Sequence, residues 1–213
     1  MTLDEQRMPP AASGDAPVAA FDFDGTLTVK DSFTAFLRWR AGHGGYAVAL
    51  AMLAPNLLSY LFHGDRGRIK AHAVRQFLSG VSREELAAEA RAFAQAEGPR
   101  LFRPDALATW EDWRRKGATR VIVTASPTIL VAPFADQLGA DLLLGTELEF
   151  DVEGRLAGAL MGENNRGMEK VRRLRQAFGP NIRLAAAYGD SSGDTEMLHI
   201  ADIKGYRVFK GRP

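Results

Sequence analysis

The stretch that decides the fold is residues 18–26, which read VAAFDFDGT. A short apolar run that ends in acidic residues is typical of a buried parallel strand. Asp22 and Asp24 are two residues apart, so both carboxylates lie on one face of a regular strand. Gly25 lets the chain turn directly after them. We therefore predict a buried strand that presents two acids at its carboxyl end.

Strands and helices alternate through the second half of the chain. The predicted strands are Thr119 to Thr124, Leu142 to Leu144 and Arg183 to Tyr188. The predicted helices are Pro104 to Lys116, Pro127 to Leu138, Gly167 to Phe178 and Gly193 to Ile200, with a hairpin signal within Leu148 to Leu160. Such alternation predicts an α/β fold, with a Rossmann-like, doubly wound parallel sheet.

The segment between the first and second predicted strands has only helix signals. They run from Asp31 to about Glu97 and include a capping box that begins at Ser82. We predict an all-helical cap over 31–98, inserted into an α/β core of 18–30 and 99–213. Residues 1–17 are polar and proline-rich, without the apolar region of a secretory signal, so we expect a disordered tail and a cytoplasmic protein.

The composition excludes several kinds of site. The 213 residues include no cysteine, which excludes disulfide scaffolds, Cys-ligated zinc, iron–sulfur clusters and thiol nucleophiles. The four histidines show no metal-ligand spacing, so we expect oxygen ligands and Mg²⁺ as the metal. A formal net charge of +1 gives no global electrostatic reason to bind nucleic acid, and we expect no such partner.

Polar residues cluster where three of the predicted strands end. Ligands of a doubly wound sheet bind beyond the carboxyl ends of its strands. Carboxylates that meet there repel one another unless a divalent cation binds them, and Mg²⁺ suits an all-oxygen ligand set. Thr124 and Lys170 add donors for a phosphate, so the set predicts phosphoryl transfer. The polar strand ends are Asp22 to Thr26, Thr124 to Ser126 and Asp190 to Asp194.

Four motifs in this order resemble those of the haloacid dehalogenase superfamily, in its phosphoserine-phosphatase-like branch. They are DxDGT at Asp22 to Thr26, the strand-end Thr124, Lys170, and the acidic motif at Asp190 to Asp194. The resemblance covers about Val18 to Ile200. It implies a phosphatase that hydrolyses phosphomonoesters with Mg²⁺ through an aspartyl-phosphate.

The resemblance also implies the role of each site residue. Asp22 is the nucleophile, Asp24 protonates the leaving oxygen and then deprotonates water, and Lys170 neutralises developing charge. The implied phosphate-binding residues are Gly25, Thr26, Thr124, Ala125 and Ser126. The implied metal-site residues are Asp22, Asp24 through its carbonyl, Asp190, and Asp194, which positions metal waters or Lys170.

Three of these residues also have a structural interpretation. Thr124 fits a simple helix cap before Pro127, and Lys170 fits a solvated position on its helix. Asp194 fits an acid that complements a helix dipole, and this interpretation is compatible with a functional role.

Substrate choice is expected to depend on the cap. Asp31 stands nine positions after Asp22, where the phosphoserine phosphatase pattern has a substrate-binding Glu, but a helix cap explains it equally well. Residues 46–62 have almost no polar side chain, and Arg66, Arg68 and Lys70 follow them. Apolar helices beside cations are typical of elements that bind anionic lipid surfaces. Arg68 is therefore a candidate substrate-binding residue.

This layout resembles phosphatidylglycerophosphatase C and related bacterial proteins, which implies a lipid phosphate as substrate. Peripheral contact with the inner face of an anionic membrane would follow. The alternative is that residues 46–62 form buried cap core and that the substrate is a small metabolite such as phosphoserine. A phosphotransferase such as a mutase, and a catalytically silent binding protein with this fold, are further hypotheses.

Overall fold

The structure is a computed structural model that describes residues 16–42 and 74–213. Several sequence predictions lie outside these residues. They concern most of the predicted disordered tail, the apolar stretch 46–62, and the cations Arg66, Arg68 and Lys70.

One sheet of six strands organises the described residues, in the order β4-β3-β2-β1-β5-β6. All neighbouring strands run parallel except β3 and β4, which form the predicted antiparallel hairpin. The predicted α/β, doubly wound sheet is thereby confirmed. The strands are β1 (Val18–Phe21), β2 (Thr119–Pro127), β3 (Leu142–Phe150), β4 (Leu156–Met161), β5 (Leu184–Gly189) and β6 (Ala201–Tyr206).

The helices are arranged as predicted, with a helical insertion after the first strand. Among the described residues, no helix is both long enough and apolar enough to cross a bilayer. Between β1 and β2 lie α1 (32–42), α2 (74–78), α3 (Arg83–Leu101) and α4 (Pro104–Arg115). The remaining helices are α5 (Thr128–Gln137), α6 (Met168–Phe178) and α7 (Thr195–His199), the last preceded by a 3₁₀ turn at Ser192–Asp194.

The central strand β1 is buried on both faces. Phe21 stacks on Tyr188 with ring centroids 4.5 Å apart and meets the edge of Trp110 at 5.0 Å. Ala20 belongs to the cluster on the opposite face, which includes Leu174 of α6. A strand covered by helices on both faces needs an uninterrupted apolar run, which explains the sequence of β1.

The structure extends some elements beyond the predicted bounds. Strand β2 continues past Thr124, because Pro127 still pairs with Thr146 of β3. Strand β3 continues beyond its predicted end at Leu144 and reaches Phe150. Its second part has no continuous apolar run and is held in strand conformation by pairing with β4. Strand β6 was not predicted at all, since it is an edge strand in which only Ala201 and Gly205 are buried.

The chain leaves the core and returns to it at one place. The Val29 N–H donates to the Leu101 carbonyl at 2.8 Å, and the Arg103 N–H donates to the Leu27 carbonyl at 2.9 Å. Thr28 and Phe102 form an antiparallel bridge between these bonds. The two connections of the inserted helices therefore pair with each other beside the end of β1.

Phe134 of α5 links the inserted helices to the core. Its buried ring lies 5.4 Å from Phe23 and 5.7 Å from Phe93 of α3, measured between centroids. We expect Phe134→Ala to lower the free energy of unfolding by about 3–5 kcal/mol, because it leaves a cavity between these elements. Chemical denaturation measures the change. Val152→Ala is the control, since Val152 is 97% exposed and its loss should change stability by less than about 0.5 kcal/mol.

Candidate active site

The ends of the three central strands converge on one site. Because β2, β1 and β5 are neighbours in the sheet, their carboxyl ends lie side by side. Asp22 follows β1 directly, Thr124 lies in the last part of β2, and Asp190 follows β5. This is the crevice in which doubly wound sheets bind their ligands.

Lys170 is the buried cation at the centre of this site. Its ammonium donates to Asp22 Oδ1 at 2.7 Å, to Asp194 Oδ1 at 2.6 Å and to the Val123 carbonyl at 2.6 Å. These three acceptors use all three of its hydrogens. The side chain is only 2% exposed, so the structure does not support a solvated position for Lys170.

Three carboxylates lie close together at this end of the sheet. Asp22, Asp190 and Asp194 each place a carboxylate oxygen within 4.8 Å of the other two. Burial, with a smaller contribution from the nearby Asp194, raises the pKa of Asp22 to about 7, although the Lys170 ammonium lowers it. Burial and Asp194 also raise the pKa of Asp190.

Asp194 has the opposite shift, although it is equally well buried. Burial alone would raise the pKa of Asp194, but the Lys170 ammonium and the hydrogen bonds from Ser191 lower it below the ordinary value. The Ser191 N–H and hydroxyl both donate to Asp194 Oδ2 at 2.9 Å. In turn, Asp22 and Asp194 raise the pKa of Lys170 despite its burial. The Lys170–Asp194 pair is therefore ionised.

The cluster fits a hard divalent cation. One ammonium faces three carboxylates, so the site has a surplus of negative charge, and every ligand that it offers is oxygen. The raised pKa values of Asp22 and Asp190 reflect this surplus. Gly25 keeps space beside the cluster, because a Cβ at this position would overlap the Asp190 carboxylate. Its φ of +78° also favours glycine.

Asp24 is held by different groups from Asp22. The Ser126 hydroxyl donates to Asp24 Oδ2 at 2.5 Å, and the Ser32 N–H at the start of α1 donates to Oδ1 at 2.6 Å. Asp24 is half-buried, whereas Asp22 is buried. Two carboxylates two residues apart thus have different environments, which is how proteins give paired acids separate roles.

The predicted phosphate-binding residues lie in the same region. The Ser126 N–H donates to Thr124 Oγ at 3.0 Å, which leaves the Thr124 hydroxyl hydrogen available for another acceptor. The Ala125 carbonyl accepts from the Thr146 hydroxyl at 3.0 Å. Thr26 Oγ lies 3.4 Å from Asp22 Oδ2 and donates to it.

The predicted substrate-binding residue Asp31 is not brought into this site. Asp31 is exposed, and its Oδ1 accepts from the Thr34 N–H at 2.7 Å. That contact is the helix cap that the sequence offered as the alternative interpretation. Arg68 lies outside the described residues.

Two supporting residues were missed by sequence analysis. Arg103 donates through Nε to the Gly25 and Thr28 carbonyls at 3.2 Å, which fixes the turn after Asp22. A local sequence pattern cannot indicate this contact, because the inserted helices separate Arg103 from Gly25 and Thr28 in the sequence. Ser191 forms a capping box with Asp194, and the Ser-x-x-Asp spacing was a signal that could have shown it.

Two sequence comparisons show which proteins this chain is similar to. The family model described as haloacid dehalogenase-like hydrolase matches residues 19–199. Protein CicA of Caulobacter vibrioides is 60% identical over 196 residues, which is 92% of this chain and 88% of that protein.

Solved structures share the fold. A protein of unknown function from Bordetella pertussis Tohama I is similar with a TM-score of 0.71 and 25% identity, over 86% of each chain. A phosphoserine phosphatase, solved as an analogue of its phospho-aspartyl intermediate, has a TM-score of 0.58 and 20% identity. That similarity covers 87% of this chain and 83% of the other.

We expect Lys170→Met to lower the free energy of unfolding by about 3–5 kcal/mol, because it leaves Asp22 and Asp194 buried without their cation. Thermal or chemical unfolding without divalent cations measures this. Arg172→Met is the matched control on the same helix, since the Arg172 side chain is 63% exposed. Its loss should cost less than about 1 kcal/mol. Equal losses in the two variants would contradict the central position of Lys170.

Proposed function

Because the chain belongs to the haloacid dehalogenase-like hydrolase family, we propose that it hydrolyses phosphomonoesters with Mg²⁺ through an aspartyl-phosphate on Asp22. The observation that carries this proposal is the three-way contact of Lys170 with Asp22, Asp194 and the Val123 carbonyl. This contact holds the Asp22 carboxylate in a fixed position at the end of β1, beside the positive charge of Lys170. A carboxylate nucleophile acting on a phosphate dianion needs both features.

In the first step Asp22 attacks the phosphorus of the substrate. Lys170 holds Asp22 Oδ1, so the carboxylate is oriented and Oδ2 is the attacking oxygen. As the Oδ2–phosphorus bond forms, the bond from phosphorus to the leaving oxygen breaks. Asp24 gives that oxygen its proton, so the alcohol leaves neutral.

In the second step water removes the phosphoryl group from Asp22. Asp24 is now a carboxylate and takes a proton from the attacking water. The new bond from water oxygen to phosphorus forms while the Asp22 Oδ2–phosphorus bond breaks. Inorganic phosphate leaves, Asp22 is again a carboxylate, and Asp24 is again protonated.

The remaining groups stabilise the charge of the phosphoryl group. The Thr124 hydroxyl and the Ala125 N–H are the proposed donors to its oxygens, and Lys170 supplies positive charge. Asp22, the Asp24 carbonyl and Asp190 would hold Mg²⁺, with Asp194 keeping Lys170 in place. When bound, Mg²⁺ would neutralise and orient the phosphate oxygens.

For the substrate, we propose a phosphorylated lipid head group such as phosphatidylglycerophosphate. The support is the apolar stretch 46–62 followed by Arg66, Arg68 and Lys70, which suits peripheral contact with the inner face of an anionic membrane. The competing substrate is a soluble phosphorylated metabolite such as phosphoserine. Each cation near an anionic surface contributes about 1 kcal/mol of binding free energy. A protein that acts on a lipid phosphate should therefore bind anionic vesicles more tightly than neutral ones, and a protein that acts on a soluble metabolite should not.

We expect phosphate release from phosphatidylglycerophosphate in mixed micelles with Mg²⁺, measured beside phosphoserine. Asp22→Asn and removal of Mg²⁺ with EDTA should each reduce the rate by about 10³-fold or more, because the first removes the nucleophile and the second the cation. Thr109→Ala, a change far along the chain on α4, is the activity control.

Release from phosphoserine alone would eliminate the lipid substrate. Release from neither ester, or full activity in Asp22→Asn, would eliminate the proposed chemistry.

The affinity for Mg²⁺ should fall at low pH. With a pKa of about 7, Asp22 is protonated below that pH and must lose its proton before it binds a cation. We therefore expect affinity to fall by up to about tenfold per pH unit below pH 7, and to level off above it. Isothermal titration calorimetry measures the constant at each pH. In Asp22→Asn this part of the pH dependence should disappear, and an affinity that is constant between about pH 5.5 and 8.5 would contradict the assignment.

A further inference from the structure

Donors from different parts of the fold contact the Asp24 carboxylate, among them Ser126 and Ser32. Ser126 lies in β2 of the core, and its hydroxyl contacts Oδ2 at 2.5 Å. Ser32 lies at the start of α1 in the insertion, and its N–H contacts Oδ1 at 2.6 Å. Ser126 is fully buried and its own N–H donates to the Thr124 hydroxyl oxygen, so its position is fixed within β2.

We propose that Ser126 is the positioning residue of Asp24 and keeps this group aimed at the leaving oxygen during both proton transfers. The inference rests on the proposed function, since it concerns the acid and base of that reaction. It also changes the role expected for Ser126, which the family resemblance placed among the phosphate-binding residues.

The hydrogen-bond inventory of Ser126 supports this role. A serine hydroxyl has a single hydrogen, and at Ser126 that hydrogen is directed to Asp24 Oδ2. It cannot at the same time donate to a phosphate oxygen. Thr124 differs, because its oxygen accepts from the Ser126 N–H and its hydrogen is available to a substrate.

A hydroxyl is also the kind of partner that this task requires. Asp24 alternates between an acid and a carboxylate, so its partner must suit both forms. The Ser32 N–H can only donate, which keeps Oδ1 as an acceptor and assigns the transferable proton to Oδ2. The Ser126 hydroxyl can donate to Oδ2 in both forms, because the oxygen of a protonated carboxyl still accepts hydrogen bonds, and the Oδ2 proton then stays available to the leaving oxygen. Contact with Asp24 is therefore maintained through the cycle.

The test compares esters that differ in how much they need an acid. Alcohols of alkyl phosphates are poor leaving groups and require protonation, whereas 4-nitrophenolate leaves readily without it. We measure kcat/KM with Mg²⁺ for benzyl phosphate, phosphoserine and 4-nitrophenyl phosphate. In Ser126→Ala, kcat/KM for the better of the two alkyl esters should fall at least about tenfold more than kcat/KM for 4-nitrophenyl phosphate.

Two further variants separate positioning from folding and from phosphate binding. Ser82→Ala is the matched control, since it removes the hydroxyl that caps α3 and does not touch Asp24. It should leave the ratio of the two kcat/KM values unchanged. In an Asp24→Ala background, Ser126→Ala should not lower that ratio further, because no acid remains to be positioned. Each ratio comes from one protein sample, so the fraction of folded enzyme cancels.

Each remaining outcome decides the proposal. If Ser126→Ala lowers kcat/KM equally for the alkyl esters and for 4-nitrophenyl phosphate, the positioning role is wrong, and Ser126 instead binds phosphate or has a structural role. The positioning role is also wrong if the ratio of the two kcat/KM values falls further when Ser126→Ala is added to Asp24→Ala. Wild-type turnover of 4-nitrophenyl phosphate alone would remove the acid role of Asp24 and the proposal with it. No turnover of any ester would instead reject the proposed function.

Discussion

The contact of the Lys170 ammonium with Asp22, Asp194 and the Val123 carbonyl is the constraint on which the rest of the site depends. A buried ammonium is tolerated only where opposite charges and acceptors surround it. Its acceptors follow β1, lie in β2 and follow β5, so one side chain joins the ends of three neighbouring strands. The geometry of the site and the stability of the fold are therefore coupled at this point.

The same cation explains why adjacent acids behave differently. Asp194 accepts from both Lys170 and Ser191, and these contacts lower its pKa, whereas burial leaves the pKa of Asp22 near neutrality. Asp24 accepts from two neutral groups, the Ser32 N–H and the Ser126 hydroxyl, and remains half-buried. Because the pKa of Asp22 is about 7, this carboxyl loses its proton near neutral pH, and the site can then bind a cation. A partly accessible carboxyl at Asp24 is suited to exchange protons with a substrate and with water.

The sequence predicted most of the fold, because the buried strands have apolar runs, and the helices have capping residues and apolar residues at helical spacing. It also indicated the strand-end residues of the site, since parallel strands bring such ends together. It could not show that Ser126 contacts Asp24, because nothing in a local pattern says which distant group a buried hydroxyl meets. Arg103 was missed for the same reason. Strand β6 was missed because an edge strand needs little apolar sequence.

The paired connections at Thr28 and Phe102 have a consequence for how such a protein can diversify. The chain departs and re-enters through two segments that are hydrogen-bonded to each other, and the Arg103 guanidinium binds the Gly25 carbonyl from the returning segment. The turn after the nucleophile is therefore held by the two connecting segments themselves, whatever the sequence inserted between them. Evolution can exchange or lengthen that part as a module, and recognition can change while the machinery that moves the phosphoryl group stays the same.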